Sequence, residues 1–251
     1  MEGKMNDFRD KVTLVTGAGR GIGRATAEAL AALGAIVAAN DITPVHLDET
    51  LKHILDAGGR ARDYVFDVAK RTPVQAMVDQ VLEDWGKIDI LINTANVEPH
   101  AAILDMDEWE WLRTLDVNLS GPFFTIQQVG RSMRQRQSGA IVNLGAALVL
   151  AQKDQAAFIA SKNGLAGLTR SAAMEFAEFN VRVNLVCPAE KENGDLVELL
   201  PIIQKAGFPQ DIIGVILFLC SPAATNITGR FIQVNLRNCP AARVQALSRK
   251  S

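Results

Sequence analysis

Tyrosine is almost missing from this sequence: Tyr64 is the only one in 251 residues. Phenol chemistry anywhere else in the chain is thereby excluded. Cysteine is scarce too. Cys187, Cys220 and Cys239 lie far apart without metal-ligand spacing, and read as buried or incidental thiols in a reducing, cytoplasmic setting. No apolar run approaches the roughly 18 residues a membrane span requires. The most tempting run, Ile212 to Cys220, has the length of a buried helix. The start, Met1 to Lys11, is charged and lacks the apolar centre of a signal peptide. Neither sign of charge dominates. The net charge is −2 and the Lys and Arg residues are scattered, which argues against a nucleic-acid surface. Repeats, linkers and low-complexity segments are missing as well, so one α/β domain over residues 1–251 is the simplest organisation, with a core at about 8–236 and a partly ordered tail at 237–251.

What is present is organised around Val12-Thr13-Leu14-Val15-Thr16-Gly17-Ala18-Gly19-Arg20-Gly21-Ile22-Gly23. An apolar run ends in glycines, and a helical pattern begins with Ile22, Ala25, Ala29 and Leu33 on one face. This reads as a strand, a tight turn and a helix N-terminus. Gly17 permits the turn, Gly21 lets a diphosphate approach the backbone, and Gly23 lets helix and strand pack closely. The first N–H groups of a helix are unpaired and sit at the positive end of its dipole, which suits a phosphate anion. A glycine-rich corner alone is weak evidence, but at the head of a βαβ unit it marks a dinucleotide site.

Strand and helix patterns then alternate to the end. Strands are expected at Val12–Thr16, Ile36–Asn40, Arg62–Phe66, Ile88–Ile92, Ala140–Leu144, Val181–Val186 and Phe231–Val234. Helices are expected after Gly21 and at Pro44–Ala57, Thr72–Trp85 (capped by Thr72, with Pro73 first), Asp107 to about Arg136 (bent near Gly121-Pro122), Gln155–Phe179, Leu196–Ala206 and Pro209–Cys220. Strands separated by helix-length segments pair in parallel through right-handed crossovers. The expected fold is therefore a Rossmann-type, doubly wound parallel sheet of about seven strands in a three-layer αβα arrangement.

Asp41 falls at the end of the second strand, beside the expected adenosine ribose. A carboxylate there accepts hydrogen bonds from both ribose hydroxyls and repels the 2′-phosphate of NADP. Arg20 pulls the other way as a potential 2′-phosphate ligand, or is simply a solvated loop charge. NAD is favoured over NADP. Asp67 and Val68, after the third strand, are placed to bracket the adenine; a helix-capping role for Asp67 is equally open.

By these residues, together with Val117-Asn118, Ile141-Val142-Asn143, Ser161-Lys162, Val183-Asn184 with Pro188, and Ile227-Thr228-Gly229, the chain resembles the short-chain dehydrogenase/reductase family over about residues 8–236. The resemblance implies a nicotinamide cofactor and commonly a homodimer or homotetramer. It extends the cofactor contacts to Asn93, Ala95, Lys162 and Pro188. In typical members a tyrosine moves the proton, a lysine four residues on lowers its pKa and holds the ribose, a serine orients the substrate oxygen and an asparagine supports a proton relay. Mapped here, the lysine is Lys162 and the asparagine Asn118, but the tyrosine position is Phe158 and the serine position Ala146. No serine lies between Ser138 and Ser161, so none replaces Ala146. Further departures are Asn93-Thr94-Ala95-Asn96 for the family's Asn-Asn-Ala-Gly, Pro188-Ala189 for Pro-Gly, Asn235-Leu236-Arg237 for Asp-Gly-Gly, and a shortened, charged segment from Pro188 to Pro209.

Two readings follow, with a ligand-free scaffold as a third. One is an NAD(H)-binding pseudoenzyme with a binding, regulatory or assembly role, since a phenyl ring and a methyl group transfer no proton. The other is an active NAD-dependent oxidoreductase on a small alcohol or carbonyl substrate, with Glu98, His100 or Lys162 as a non-standard donor. The plain reading of Glu98 and His100 is as ordinary loop residues. Trp109, Trp111, Phe123, Phe124 and Phe176 lie on helices that pair protomers in this family, or pack against the sheet.

Overall fold

The computed structural model describes residues 8–146, 153–189, 203–204 and 211–235. Seven parallel strands form one sheet: β1 (Val12–Thr16), β2 (Ile36–Asp41), β3 (Arg60–Val65), β4 (Ile90–Asn93), β5 (Gly139–Leu144), β6 (Val181–Ala189) and β7 (Phe231–Asn235). Their spatial order is β3-β2-β1-β4-β5-β6-β7, so the winding reverses between β1 and β4. Ligands of open α/β sheets bind outside the carboxyl ends of the strands at such a reversal. The central strands are apolar throughout because both sheet faces are covered. All five residues of β1 are buried.

Helices α1 (Gly21–Ala32), α2 (Pro44–Asp56) and α7 (Ile212–Cys220) cover one face; α3 (Arg71–Trp85), α5 (Gly121–Arg136) and α6 (Ala156–Phe176) cover the other. A short α4 (Glu108–Leu115) precedes α5. Ile22, Ala25, Ala29 and Leu33 pack on the first layer as their spacing implies. Helix α7 is buried at every position, which accounts for its apolar sequence. No helix among the described residues is long and apolar enough to cross a membrane.

Several boundaries differ from expectation for identifiable reasons. Thr72 does not cap α3. The helix starts two residues earlier, at Arg71 after an extended Lys70, and no side chain caps it. Pro73 thus sits third in the helix, where its missing N–H is still one of the unpaired four. The single long helix expected from Asp107 is interrupted by a π-helical turn, Asp116–Ser120, in which the Gly121 amide reaches back to the Asp116 carbonyl. Pro122 has no N–H to donate one turn back, and the widened turn absorbs that loss. Helix α6 gives way at Ala177–Phe179 to a 3₁₀ turn closed by Asn180 at φ +55°. Helix α7 starts at Ile212 because the Asp211 carboxylate accepts from the Gly214 amide at 2.8 Å. Strand β6 runs on to Ala189 rather than stopping at Val186. Its last β5 partner is Leu144↔Val186, so Pro188 lies where that edge has no ladder to lose. Strand β3 begins two residues early, β4 is shifted to Ile90–Asn93, and β7 includes Asn235. Of the expected helix at 196–206 only residues 203–204 are described, and they are helical. Cys239, the tail and the segment 190–202 lie outside the described residues.

One buried polar chain ties the centre of the sheet to the helices. Asn93 Nδ2 donates to Asn143 Oδ1 at 2.9 Å, Thr125 of α5 donates to Asn93 Oδ1 at 2.8 Å, and Asn143 Nδ2 donates to Thr169 of α6 at 2.9 Å. Every member is under 9% exposed. Asn143→Ala leaves the Asn93 amide and the Thr169 hydroxyl without these partners. It is expected to lower stability by roughly 2–4 kcal/mol, read as a shift of the urea midpoint at constant slope.

Candidate functional site

The glycine turn is shaped by what it touches. Gly17 has φ +66°, and a Cβ there would stand 2.7 Å from the backbone of Ala95. A Cβ on Gly23 would lie 2.1 Å from the Gly17 carbonyl oxygen and 2.5 Å from Thr94 Oγ1. Any side chain at either position forces the loop after β4 away from the loop after β1. Arg20 precedes α1 in an extended conformation, is exposed, and makes no side-chain cap. The amides of Gly21, Ile22 and Gly23 open the helix at this uncapped end, the arrangement that suits a phosphate.

Asp41 closes the corner beside this turn. Its Oδ2 accepts from the Gly19 amide and its Oδ1 from the Thr43 amide, each at 3.1 Å. Arg24 holds the turn from behind, with Nε 3.0 Å from the Gly19 carbonyl and 3.1 Å from Thr50 Oγ1, and pairs with Glu49 at 2.8 Å. Neither Arg24 nor Thr50 is conspicuous in the sequence, because the contacts join residues 5 and 26 apart.

Asp67 follows β3 and accepts from the Ala69 amide at 3.0 Å. Arg113, from α4, reaches both of its oxygens, at 3.3 and 3.0 Å. Burial alone would raise the Asp67 pKa, but the Arg113 and Ala69 hydrogen bonds win and hold it below the usual value. Val68 is buried in the second layer.

Toward the centre, the Asn93 side chain is turned into the buried polar chain, and Ala95 is half-buried over Gly17. Asn118 sits in the π-helical turn at zero exposure. Its Oδ1 accepts from the Val97 amide at 2.9 Å, while Nδ2 donates to the Val97 carbonyl at 2.8 Å and to Ser161 Oγ at 3.1 Å. It therefore clips the loop after β4 to α6. That loop is fastened again where Gln155 Nε2 donates to Glu98 Oε1 at 2.7 Å and the Ala101 amide donates to the Asp154 carbonyl at 2.9 Å. His100 is mostly exposed, with Nε2 3.8 Å from Glu98 Oε1. Pro188 is half-buried at the end of β6. The expected site residues thus gather at the carboxyl ends of β1 to β6, except that the Asn93 side chain turns into the core and Val68 packs in the second layer. Among the described residues no group of three His, Cys, Asp or Glu side chains is arranged to hold a metal.

Phe158 and Lys162 form one turn of α6. The Lys162 ammonium lies 5.7 Å from the centre of the Phe158 ring, within cation–π reach, and donates to the Leu144 carbonyl at 3.0 Å. Ala146, two residues beyond Leu144, is half-buried; a Cβ on the intervening Gly145 would meet Cys187 Sγ at 2.6 Å. Cys187 and Cys220 are both buried and free, and burial pushes each thiol up to about 12.

The profile of the short chain dehydrogenases matches residues 11–196. A 3-oxoacyl-[acyl-carrier-protein] reductase of Thermotoga maritima is 34% identical over 237 residues, covering 90% of this chain and 96% of the relative. The chain belongs to the short-chain dehydrogenase family. Solved relatives share the fold over most of the chain. An NAD+-bound xylitol dehydrogenase has a TM-score of 0.79 at 32% identity, covering 90% of this chain and 98% of that one. A metagenomic short-chain oxidoreductase in complex with NADP has a TM-score of 0.80 at 31% identity, covering 91% and 97%. Both forms of the nicotinamide cofactor therefore occur among the solved relatives of this chain.

Burial drops the Lys162 pKa to about 8; the nearby Cys187 and Glu98 oppose that shift. The ordinary lysine value is 10.5, so between pH 8 and 9 the unfolded chain keeps a proton that folded Lys162 releases. Stability of the cofactor-free protein therefore rises with pH in that window, by about 1 kcal/mol relative to Lys162→Met, measured by urea unfolding. The two buried thiols, raised alike in both proteins, cancel from this difference.

Proposed function

We propose that this chain is a single-domain, NAD(H)-binding member of the short-chain dehydrogenases that has lost the family's standard proton transfer, and works as a cytoplasmic homodimer or homotetramer. The observation that carries the reading is the pairing of Phe158 with Lys162. At the position that the resemblance gives to tyrosine, an apolar ring lies against the buried ammonium. A phenyl group neither gives nor takes a proton, and the methyl of Ala146 cannot bond an alkoxide. General acid–base transfer contributes roughly 10²–10⁴-fold, and an oriented oxyanion donor a comparable factor.

NAD supplies hydride exchange when bound. The residues assigned to hold it are Gly17, Gly19, Arg20, Gly21, Ile22 and Gly23 at the diphosphate, Asp41 at the adenosine ribose, Asp67 and Val68 at the adenine, and Asn93, Ala95, Lys162 and Pro188 further along. Asp41 supports NAD over NADP, since its carboxylate is fixed by the Gly19 and Thr43 amides and meets a 2′-phosphate with like charge. Asn118 is assigned as the retained relay position and fastens the loop after β4. Exposed Trp109 and Phe123 support the assembly role; Phe124 and Phe176 are partly buried against the core and do not.

Calorimetry with NADH and NADPH tests the binding half. NADH is expected to bind at least tenfold more tightly, and Asp41→Ser is expected to narrow the gap. Carbonyl reduction tests the other half: Phe158→Tyr with Ala146→Ser is expected to raise the rate about 10²-fold or more. Ordinary enzymatic rates in the unaltered protein would overturn the reading.

A second reading keeps an active oxidoreductase on a small alcohol or carbonyl. It is favoured by the Lys162 ammonium, which burial brings to a pKa of about 8 against the opposing charge of Glu98, suited to giving and regaining a proton. Under this reading Glu98→Gln lowers turnover more than tenfold and shifts its pH profile; an unchanged profile counts against it.

A further inference from the structure

Arg113 has no part in the family resemblance, yet it makes the longest-range polar contact at the adenine end of the site. It comes from α4, 46 residues beyond Asp67 in sequence, and its Nη1 lies 3.3 and 3.0 Å from the two Asp67 oxygens. Both side chains are mostly buried, at 27% and 20% exposed, so water does not screen the pair as it would a surface bridge. The distribution of contacts on the carboxylate matters. Oδ1 already accepts from the Ala69 amide and from Arg113, which fills its two acceptor sites. Oδ2 accepts from Arg113 alone among these contacts, and so retains a site for one more donor. The guanidinium thus does two things. It locks the carboxylate plane by contacting both oxygens, and it keeps the group an acceptor.

We propose that Arg113 is a positioning residue for base recognition: it orients Asp67 so that Oδ2 takes the exocyclic amine of the adenine ring, and thereby makes α4 part of the cofactor site. The inference rests on the nicotinamide dinucleotide reading above. The amine is the feature that separates adenine from hypoxanthine, which carries a carbonyl oxygen at that place and offers a fixed carboxylate an acceptor where it needs a donor. Α carboxylate that is free to turn discriminates less, because either oxygen can rotate away from the mismatch.

The test is calorimetric binding of NADH and of reduced nicotinamide hypoxanthine dinucleotide to the full chain, with no turnover required. The unaltered protein is expected to prefer NADH by about tenfold, as a charge-assisted hydrogen bond allows. Arg113→Met is expected to reduce that preference below about threefold by weakening NADH binding alone, and Arg113→Lys to restore part of it. In an Asp67→Ala background, Arg113→Met should have no further effect on the preference. Equal weakening of both ligands by Arg113→Met would show a merely structural role and overturn the proposal, as would an unchanged preference. Should Arg113→Met fail to fold, Arg113→Lys and Asp67→Ala carry the same comparison. If the unaltered protein binds neither dinucleotide, the underlying cofactor reading fails and this inference with it; if it binds NADH and only the preference is unmoved, this inference fails alone.

Discussion

The close approach of the β1 and β4 loops is the constraint on which the rest of the site depends. Gly17 faces the Ala95 backbone, and Gly23 packs against both the Gly17 carbonyl and Thr94. The Thr94 hydroxyl donates to the Thr16 carbonyl across the same gap, and its amide lies 3.3 Å from that carbonyl. These contacts set how far the N-terminus of α1 stands from the loop that leads to Asn118 and Glu98. Glycine is required here by space: at these distances no side chain fits without moving a backbone segment.

From that junction two sets of contacts extend along the sheet edge. On the β2–β3 side, Asp41 and Asp67 accept from backbone amides and Arg24 donates to the Gly19 carbonyl and pairs with Glu49, so these charged groups are oriented. On the β4–β6 side, Asn118, Gln155 and Ser161 fasten a loop, and Lys162 stands buried over a carbonyl and an aromatic ring. The first side has the polarity expected of a dinucleotide cradle. The second has a buried cation with an apolar ring as its neighbour, the arrangement on which the proposed loss of standard proton transfer rests.

The interrupted helix after Asp107 links them. Its first part carries Arg113 to Asp67, and the π-helical turn carries Asn118 to Val97 and Ser161. A regular helix would not present both residues inward with the same spacing, because one added residue rotates everything beyond it by about 100°. Gly121-Pro122 marked a bend in the sequence. That the bend would be a widened turn aiming Asn118 into the core was not legible, since it depends on packing against α6 and the β4 loop.

The alternation of strands and helices, the parallel sheet, the glycine turn and the identity of the groups present were all legible in the residues. Periodicity and glycine spacing are local, and tyrosine or serine is either at a position or it is not. Phe158 and Ala146 were therefore plain from the outset. Which of the polar residues meet was set by the folded arrangement. Arg113 with Asp67, Arg24 with Gly19, Gln155 with Glu98 and Lys162 with Leu144 join separate elements, and nothing in their spacing announces them. It also decided the helix starts at Arg71, which no side chain caps, and at Ile212, where the Asp211 carboxylate takes the Gly214 amide. Hydrophobic pattern specifies which face of an element is buried; the partner of a buried charge is specified by whatever the fold brings within reach of it.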